Sequence, residues 1–204
     1  MDVEKKILTA ASALFAENRY DSVSLRNVAK AADISLSAIS YYFDNKQDLY
    51  LYTARYILRP MHRYRRRVLE SLDESSTREE VIRAYIESVC QIFLHPKGRV
   101  SARFLWRFSY ESDELCQLVL NELFTPESLR FRELMRKFHP HLQDGEHFWL
   151  AQLLNAIIFV TLGEVARSNS AKTHAWAPNK KAVVNRLVET SLALFDVQES
   201  LIKP

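Results

Sequence analysis

The sequence predicts an all-α protein, and three observations support this prediction. The chain has 204 residues but only three glycines and six prolines, so few positions interrupt a helix. Apolar residues recur at the three- and four-residue spacing of amphipathic helices, and strict two-residue alternation is rare. The hydrophobic content of 48% is enough for a substantial core in one or two domains.

The N-terminal part of the chain predicts three helices. The first is amphipathic and covers ILTAASALFAENRY, residues 7–20. The second begins after Ser24, whose hydroxyl can cap free backbone N–H groups. Ser35 offers another cap about one turn after Ala31, so a third helix follows almost at once. Two helices joined this closely cross steeply, which predicts a helix-turn-helix motif over about residues 24–43.

The second helix of this motif carries small and hydroxyl-bearing residues on its outer face. Such a face can enter the major groove of DNA, where hydroxyls bond base edges and an alanine contacts a thymine methyl. Adjacent tyrosines can bond phosphates, and a lysine in the first turn of the next helix suits a phosphate. Helix capping and surface packing are the ordinary alternatives for each residue taken alone. The predicted DNA-contacting residues are Ser24, Arg26, Ser35, Leu36, Ser37, Ala38, Ser40, Tyr41, Tyr42 and Lys46.

These motifs resemble the TetR family of bacterial transcriptional regulators over residues 3–58. The matching motifs are the opening helix, S-L-R-x-V-A-x-x-A, S-x-S-A-I-S-Y-Y-F and N-K-x-D-L. Arg19 and Asp33 stand where the family usually has glycine. Both turn positions are expected to need positive backbone dihedrals, which Asp tolerates better than Arg. Ser40 stands where many members carry Tyr or Asn, so it either reads a base or clears space.

The positive charge of the chain is concentrated in one stretch. Residues 1–50 have a net charge of −1, residues 51–69 contain six arginines and no acid, and the remainder has 16 basic and 18 acidic residues. A helix from Lys46 places the later arginines about 25–30 Å from a DNA contact at its start, and Pro60 is expected to bend or break that helix. Two interpretations stay open: a solvated basic face, or an anchor for an acidic effector.

Capping and turn residues predict further helices over residues 77–94, 100–110, 113–124, 126–137, 146–167 and 179–199. Aromatic residues at helical spacing in these segments indicate either a plain core or a pocket. The family resemblance implies a pocket for a small hydrophobic effector in this helical body. The predicted pocket residues are Arg59, Arg63, Tyr85, Val89, Phe93, Phe104, Leu105, Phe108, Leu120 and Phe124.

The last two predicted helices carry apolar stripes that are too wide to be buried on one side. The resemblance implies a homodimer that is held together by a four-helix bundle and binds a palindromic double-stranded DNA operator. The predicted interface residues are Phe148, Trp149, Ile157, Val160, Val184, Leu187, Val188, Leu192 and Phe195.

Other classes of protein are disfavoured. No apolar signal-peptide core follows MDVEKK. The longest apolar run, residues 156–162, is shorter than the roughly 20 residues of a membrane span, so we expect a cytoplasmic protein with no membrane contact.

Cys90 and Cys116 are expected to be reduced core residues. The cluster of His139, His141 and His147 straddles a turn, which disfavours a metal site. Motifs of common enzymes are missing from the sequence, so no catalytic residue or cofactor is predicted.

The sequence therefore predicts a ligand-responsive DNA-binding regulator, in the first place a repressor. Its DNA-binding domain is expected over residues 1–61 and its effector-binding and dimerisation domain over residues 62–204. Short motifs, among them Leu58-Arg59-Pro60 and Phe148-Trp149, look similar to regulators that respond to fatty acids or acyl-CoA, and other hydrophobic effectors stay open. The alternative from another class is a helical adaptor that binds only protein.

Overall fold

The computed structural model describes residues 2–94, 98–110, 114–167 and 179–202, and this part of the chain is helical throughout. It confirms the all-α fold class. A short 3-10 helix, Tyr20–Ser22, follows the first α-helix. The α-helices are α1 Val3–Glu17, α2 Leu25–Ala32, α3 Leu36–Tyr42, α4 Lys46–Glu70, α5 Arg78–Phe93, α6 Arg99–Tyr110, α7 Glu114–Arg136, α8 Asp144–Arg167 and α9 Lys180–Ile202.

Local capping explains where α2 and α3 begin. The Ser24 hydroxyl accepts a hydrogen bond from the Asn27 backbone N–H at 3.1 Å, and the Asn27 side chain accepts one from the Ser24 N–H at 2.9 Å. This reciprocal pair is a capping box. The Ser35 hydroxyl accepts from the Ala38 N–H at 3.2 Å in the same way. The two helix starts are therefore fixed by residues that are close in sequence.

The turn between α2 and α3 confirms one of the two expected positive dihedrals. Asp33 has φ 53° and ψ 55°, which is the left-handed region that a short polar side chain tolerates. The prediction for Arg19 is wrong, because this residue has φ −63° and ψ 151°. Its extended backbone leads directly into the 3-10 helix. An arginine fits there without strain.

Both α4 and α7 continue through a proline, so the predicted break at Pro60 does not occur and the helices predicted over 113–124 and 126–137 are one helix. A proline in a helix removes one backbone hydrogen bond. Pro60 is exposed, while Leu58 and Met61 beside it are each only 2% exposed. Packing on both sides of the ring holds α4 together. The expected domain boundary at residues 61/62 lies inside this continuous helix.

The long helix α4 connects the N-terminal helices to the helical body. It packs against α1 near its start and against α5 and α7 further along, while α6 packs against α1 and α9 against α5. Large aromatic side chains fill the interior, among them Phe15, Tyr85, Phe131 and Phe195. At about 1.5 Å per residue, the 25 residues of α4 span about 37 Å.

Helix α8 is apolar over a longer segment than residues 156–162, the longest apolar run found in the sequence. Within the described part of the chain, only its segment Asp144–Gly163 is long and apolar enough to span a membrane by length and composition, with a mean hydropathy of 1.2. Buried residues make up 33% of that window. Since α8 packs against α6, α7 and α9, this composition also fits a helix of the body with an apolar outer face.

Candidate DNA interface and effector cavity

The outward face of α3 is accessible, as a DNA-reading helix requires. Ile39 and Phe43 point into the core, and their burial leaves the other side of this seven-residue helix in solvent. Tyr41 is 82% exposed, the largest exposure among the apolar and aromatic residues described as exposed. Its ring contacts the Tyr42 ring edge-on, with 5.1 Å between centroids. The predicted residues Leu36, Ser37, Ser40 and Arg26 are also exposed, and Ala38 is half-buried.

The serine hydroxyls of this surface have local partners. Ser24 and Ser35 cap their helices, and the Ser35 and Ser37 hydroxyl oxygens lie 2.9 Å apart. Ser40 donates to the backbone carbonyl of Leu36 at 3.3 Å. A hydroxyl has one donor and two acceptor sites, so a serine that caps a helix keeps hydrogen-bonding capacity. These local hydrogen bonds therefore hold the serine hydroxyl groups in defined positions on the surface.

Lys46 is held at the start of α4 by the 3-10 helix. Its ammonium group donates to the Tyr20 carbonyl at 3.2 Å and lies 4.1 Å from the centroid of the Tyr20 ring. The Asn45 side chain caps α4 by accepting from the Asp48 N–H at 2.9 Å. The cation is thus kept beside a helix N-terminus, where a phosphate is also attracted. Sequence reasoning did not identify Tyr20 as its partner.

An aromatic cluster connects this end of α4 to α6. The Tyr50 ring lies 5.0 Å from Tyr20, 5.3 Å from Phe108 and 5.6 Å from Phe104, measured between centroids. Phe104 and Phe108 were predicted to line the pocket. They are buried against Tyr50 instead, because the side of α6 that carries them packs on α1 and α4.

A cavity of about 270 Å³ lies in the helical body between α4, α5, α6, α7 and α8. Of the predicted pocket residues, Val89, Leu105, Leu120 and Phe124 line it, while Tyr85 lies behind its wall. Arg59 and Arg63 are exposed on the other side of α4, and the side chain of Phe93 is outside the described part of the structure. The remaining lining residues are Arg65, Asn121, Gln152, Asn155, Ile158 and Phe159.

Arg65 lines the cavity, but the predicted pocket did not include it. The buried residues of this part of α4 are Leu58, Met61, Arg65 and Leu69, which follow one helical stripe. Position 65 therefore faces inward, while positions 59 and 63 face outward. The sequence contained a signal for this residue, because Arg65 lies on an apolar helical stripe. A charge that is buried on such a stripe needs hydrogen bonds or a counter-charge.

A second, larger groove of about 380 Å³ lies between α8 and α9, lined by Ile157, Ala182, Arg186 and Thr190 among others. Exposed apolar side chains continue along α8, where Phe148, Trp149 and Val160 are 48%, 55% and 57% exposed. Ile157 and Leu192 are half-buried. The other predicted interface residues lie inside the protomer's own core, because their side of α9 packs on α5. These are Val184, Leu187, Val188 and Phe195, of which Leu187 also lines the groove.

The histidines and cysteines that the sequence analysis singled out lie in surroundings that are typical of structural residues. Among the described residues, no group of three or more His, Cys, Asp or Glu is arranged to hold a metal ion. His139 is buried beside Phe195, with 5.7 Å between ring centroids, and burial lowers the pKa of His147. Cys90 is a free buried thiol, and the side chain of Cys116 is outside the described part.

Two family models match the chain, one over the helix-turn-helix region and one over the helical body. The model described as "Bacterial regulatory proteins, tetR family" matches residues 7–53, which contain α2, α3 and the start of α4. The model described as "Tetracyclin repressor-like, C-terminal domain" matches residues 83–193, more than half of the chain. The chain belongs to the TetR family. Regulators of this family bind DNA operators and act as dimers, and they are not enzymes.

Solved structures share this fold at low sequence identity. A TetR-family regulator from Bordetella parapertussis 12822 has a TM-score of 0.71 at 16% identity, with 94% of each chain covered. The fatty acid degradation regulator FadR from Bacillus halodurans has a TM-score of 0.72 at 17% identity and covers 94% of this chain and 95% of its own. A regulator from Saccharomonospora viridis, solved in complex with choline, has a TM-score of 0.67 at 17% identity and 95% coverage of both chains.

No curated protein sequence is significantly similar to the chain. The family is therefore established by its two models, and the solved structures add the fold. The effector and the mechanism of this regulator are therefore inferred from its own residues.

Proposed function

We propose that this TetR-family protein is a cytoplasmic homodimeric repressor that leaves a palindromic operator when a small hydrophobic effector enters the helical body. One observation carries the proposal: a single helix, α4, begins at the predicted DNA interface and lines the cavity in the helical body. Lys46 stands at its first position and Arg65 in the cavity wall, about 28 Å further along the helix. A shift of α4 therefore moves both sites.

The mechanism that we propose is a change in the spacing of the two α3 helices. Two recognition helices of a dimer must lie about one DNA turn apart to bind both half-sites. An effector that fits the cavity better in one arrangement of α4 stabilises that arrangement and weakens the other. Helix α6 supplies a second connection, because Leu105 lines the cavity while Phe104 and Phe108 contact Tyr50 on the opposite side.

The effector that we propose combines an apolar part with an acidic group, as a fatty acid or acyl-CoA does. The cavity wall supports this class, since it combines apolar side chains such as Leu105, Leu120 and Ile158 with the guanidinium of Arg65. An entirely apolar molecule would leave that guanidinium without a charged partner.

The test of this function is fluorescence anisotropy on DNA from the region upstream of the gene, with scrambled DNA as the control. We expect sequence-dependent binding that weakens steeply with salt, because phosphate contacts release counterions. Tyr41→Ala should weaken binding about tenfold with no loss of dimer, since its ring is in solvent. Tyr64→Ala, at an exposed tyrosine on α4 away from α3, is the matched control.

Equal and weak binding to both DNAs, together with no effect of Tyr41→Ala, would contradict the proposal. The adaptor alternative would then be favoured.

A further inference from the structure

Arg65 is a buried cation without an acidic partner among the described residues. It is 3% exposed, and none of the ion pairs in the described part of the chain includes it. Its Nε donates to the Ser88 hydroxyl at 3.0 Å. Its guanidinium carbon lies 4.7 Å from the Tyr85 ring centroid and 5.4 Å from that of Phe124. Two aromatic faces and one hydroxyl thus hold the guanidinium in place.

Within the protein, Ser88 accepts only one of the hydrogen bonds that Arg65 can donate. A guanidinium has five N–H donors, and no hydrogen bond to a described residue other than Ser88 is present. Burial of a charge is costly unless a counter-charge or hydrogen bonds compensate it. Arginine binds carboxylate and phosphate through two parallel hydrogen bonds, so an anion in the cavity would supply this compensation.

Asn155 provides a second donor beside the same cavity. Its side-chain oxygen accepts a hydrogen bond from the Tyr85 hydroxyl at 2.8 Å. This bond uses the amide oxygen, so the NH2 group of Asn155, a residue of the cavity wall, stays available as a donor. The carboxylate-bearing residues Asp and Glu do not occur among the residues that line the cavity. The polar residues of the cavity wall are therefore one arginine and three side-chain amides, all of which can donate hydrogen bonds and none of which is acidic.

The size of the cavity limits the ligand. A water molecule occupies about 30 Å³ of liquid, so about 270 Å³ has room for roughly nine atoms of that size. A free carboxylic acid with about eight carbons fits this space. A coenzyme A ester has several times as many atoms, so most of it would have to lie outside the cavity.

We propose that Arg65 binds the carboxylate of a small apolar monoanion, of the size of octanoate, whose tail lies among Leu105, Leu120 and Phe159. This inference names the effector class for the cavity of the proposed function and rests on that function. It replaces the acyl-CoA option with a short free acid. Anchoring on Arg65 also places the bound charge directly on α4, the helix that begins at the DNA interface.

The experiment compares octanoate, octyl phosphate, 1-octanol and octylamine by isothermal titration calorimetry with the full-length dimer and no DNA. Octanoate is expected to bind at least about tenfold more tightly than the alcohol and the amine, since hydrogen bonds to charged groups contribute that much. Octyl phosphate tests whether the anchor takes any anion: weaker binding than octanoate supports a carboxylate site, and tighter binding overturns the carboxylate assignment. Equal affinity for octanoate and 1-octanol overturns the proposal without any variant.

The variant Arg65→Met keeps the length of the side chain and removes the charge. It is expected to weaken octanoate binding about tenfold or more while 1-octanol binding stays unchanged. Arg63→Met, at an exposed position on the same helix, is the matched control and should bind octanoate like the unmodified protein. If Arg65→Met does not fold, Arg65→Lys keeps a cation and should retain the preference for octanoate over the alcohol. Unchanged octanoate affinity in Arg65→Met would contradict the proposal.

Operator binding is measured separately by anisotropy, with and without saturating octanoate. Loss of operator binding in the ligand-free protein would count against the proposed function alone. Normal operator binding with no octanoate affinity would count against Arg65 as an anchor alone.

Discussion

At the scale of single residues, Lys46 and Tyr20 show how a predicted DNA-contacting side chain is positioned by a neighbour that is distant in sequence. The ammonium group is fixed by a carbonyl and by a ring on the 3-10 helix. Tyr20 itself packs against Phe15 and Tyr50. The position of this cation is therefore set by the interior of the N-terminal helices, and a change in that interior would move it.

A double-mutant cycle tests this connection. Lys46→Met should weaken operator binding several-fold and reduce the salt dependence, because one cation at the phosphate is lost. Tyr20→Leu keeps the carbonyl but removes the ring, so a two- to threefold loss is expected, roughly 0.5 kcal/mol. The double variant should bind no more weakly than Lys46→Met alone. Fully additive losses in anisotropy measurements would show that Tyr20 does not act through Lys46.

The Cys90 thiol gives a prediction about pH. Burial raises the pKa of Cys90 from its ordinary value of 9.0 to about 12 in the folded protein. The unfolded state therefore releases this proton at a lower pH than the folded state. Stability from this group is complete below about pH 9 and is lost as the pH rises from there towards 12, by at most about 1.4 kcal/mol per pH unit.

Urea unfolding at pH 8 and pH 10 measures this effect in a Cys116→Ser background, where one thiol remains. The decrease in unfolding free energy between the two pH values should be smaller by about 1 kcal/mol when Cys90 is also replaced by alanine. Cys90 should also resist iodoacetamide at pH 8 in the folded protein and react after unfolding. An equal decrease with and without the thiol would contradict the prediction.

At the scale of elements, two contacts between an acidic and a basic side chain join α4 and α7. Arg55 and Glu122 form an exposed pair at 2.9 Å, and the Arg55 guanidinium lowers the pKa of the Glu122 carboxyl. His62 and Glu127 form a pair at 2.9 Å in which the Glu127 side chain is only 1% exposed. Exposed pairs contribute little to stability, but removal of one partner of a buried pair leaves a buried charge.

The two pairs should therefore respond differently to truncation on α4. His62→Ala is expected to lower the free energy of unfolding by about 3 kcal/mol, because the buried Glu127 carboxyl group loses the imidazole beside it and no water reaches it. Arg55→Ala, the control at the exposed pair, should lower it by less than about 1 kcal/mol. Chemical denaturation measures both values, and adding Glu127→Leu should restore most of the stability of His62→Ala. Similar losses in the two single variants would show that burial does not distinguish the pairs.

At the scale of the whole molecule, the outer face of α8 is the surface that one protomer leaves incomplete. Phe148, Trp149 and Val160 are about half-exposed on this face. Large contiguous apolar surfaces are typical of association sites. Helix α8 is long and apolar enough to span a membrane, and association of this face with the same face of a second copy is a simpler explanation of its composition.

Trp149→Glu should therefore convert the dimer to a monomer, because it places a charge in the centre of a self-associating apolar face. Operator affinity should fall at least tenfold, since one α3 helix then reads only one half-site. Light scattering after size-exclusion chromatography measures the mass. Leu129→Glu is the control, because Leu129 is 52% exposed on α7 and lies outside the predicted interface. A Trp149→Glu protein that stays dimeric would exclude this face.

The sequence by itself determined the features that depend on neighbouring residues. The caps at Ser24 and Ser35, the left-handed turn at Asp33 and the exposed face of α3 all follow from interactions within about four positions. The family motifs lie in this same local region, so the exposure of the predicted DNA-contacting residues on α3 follows from it, while their contacts with DNA stay a prediction.

Only the tertiary structure decided which face of each longer helix is covered. Pro60 and Pro126 end no helix, because packing on both sides outweighs one missing hydrogen bond. Phe104 and Phe108 contact Tyr50 and leave the cavity wall to Leu105, while Arg65 faces the cavity in place of Arg59 and Arg63. The reason is that an apolar stripe predicts only that one face of a helix is buried. Its partner is chosen by contacts between residues that are far apart in the chain.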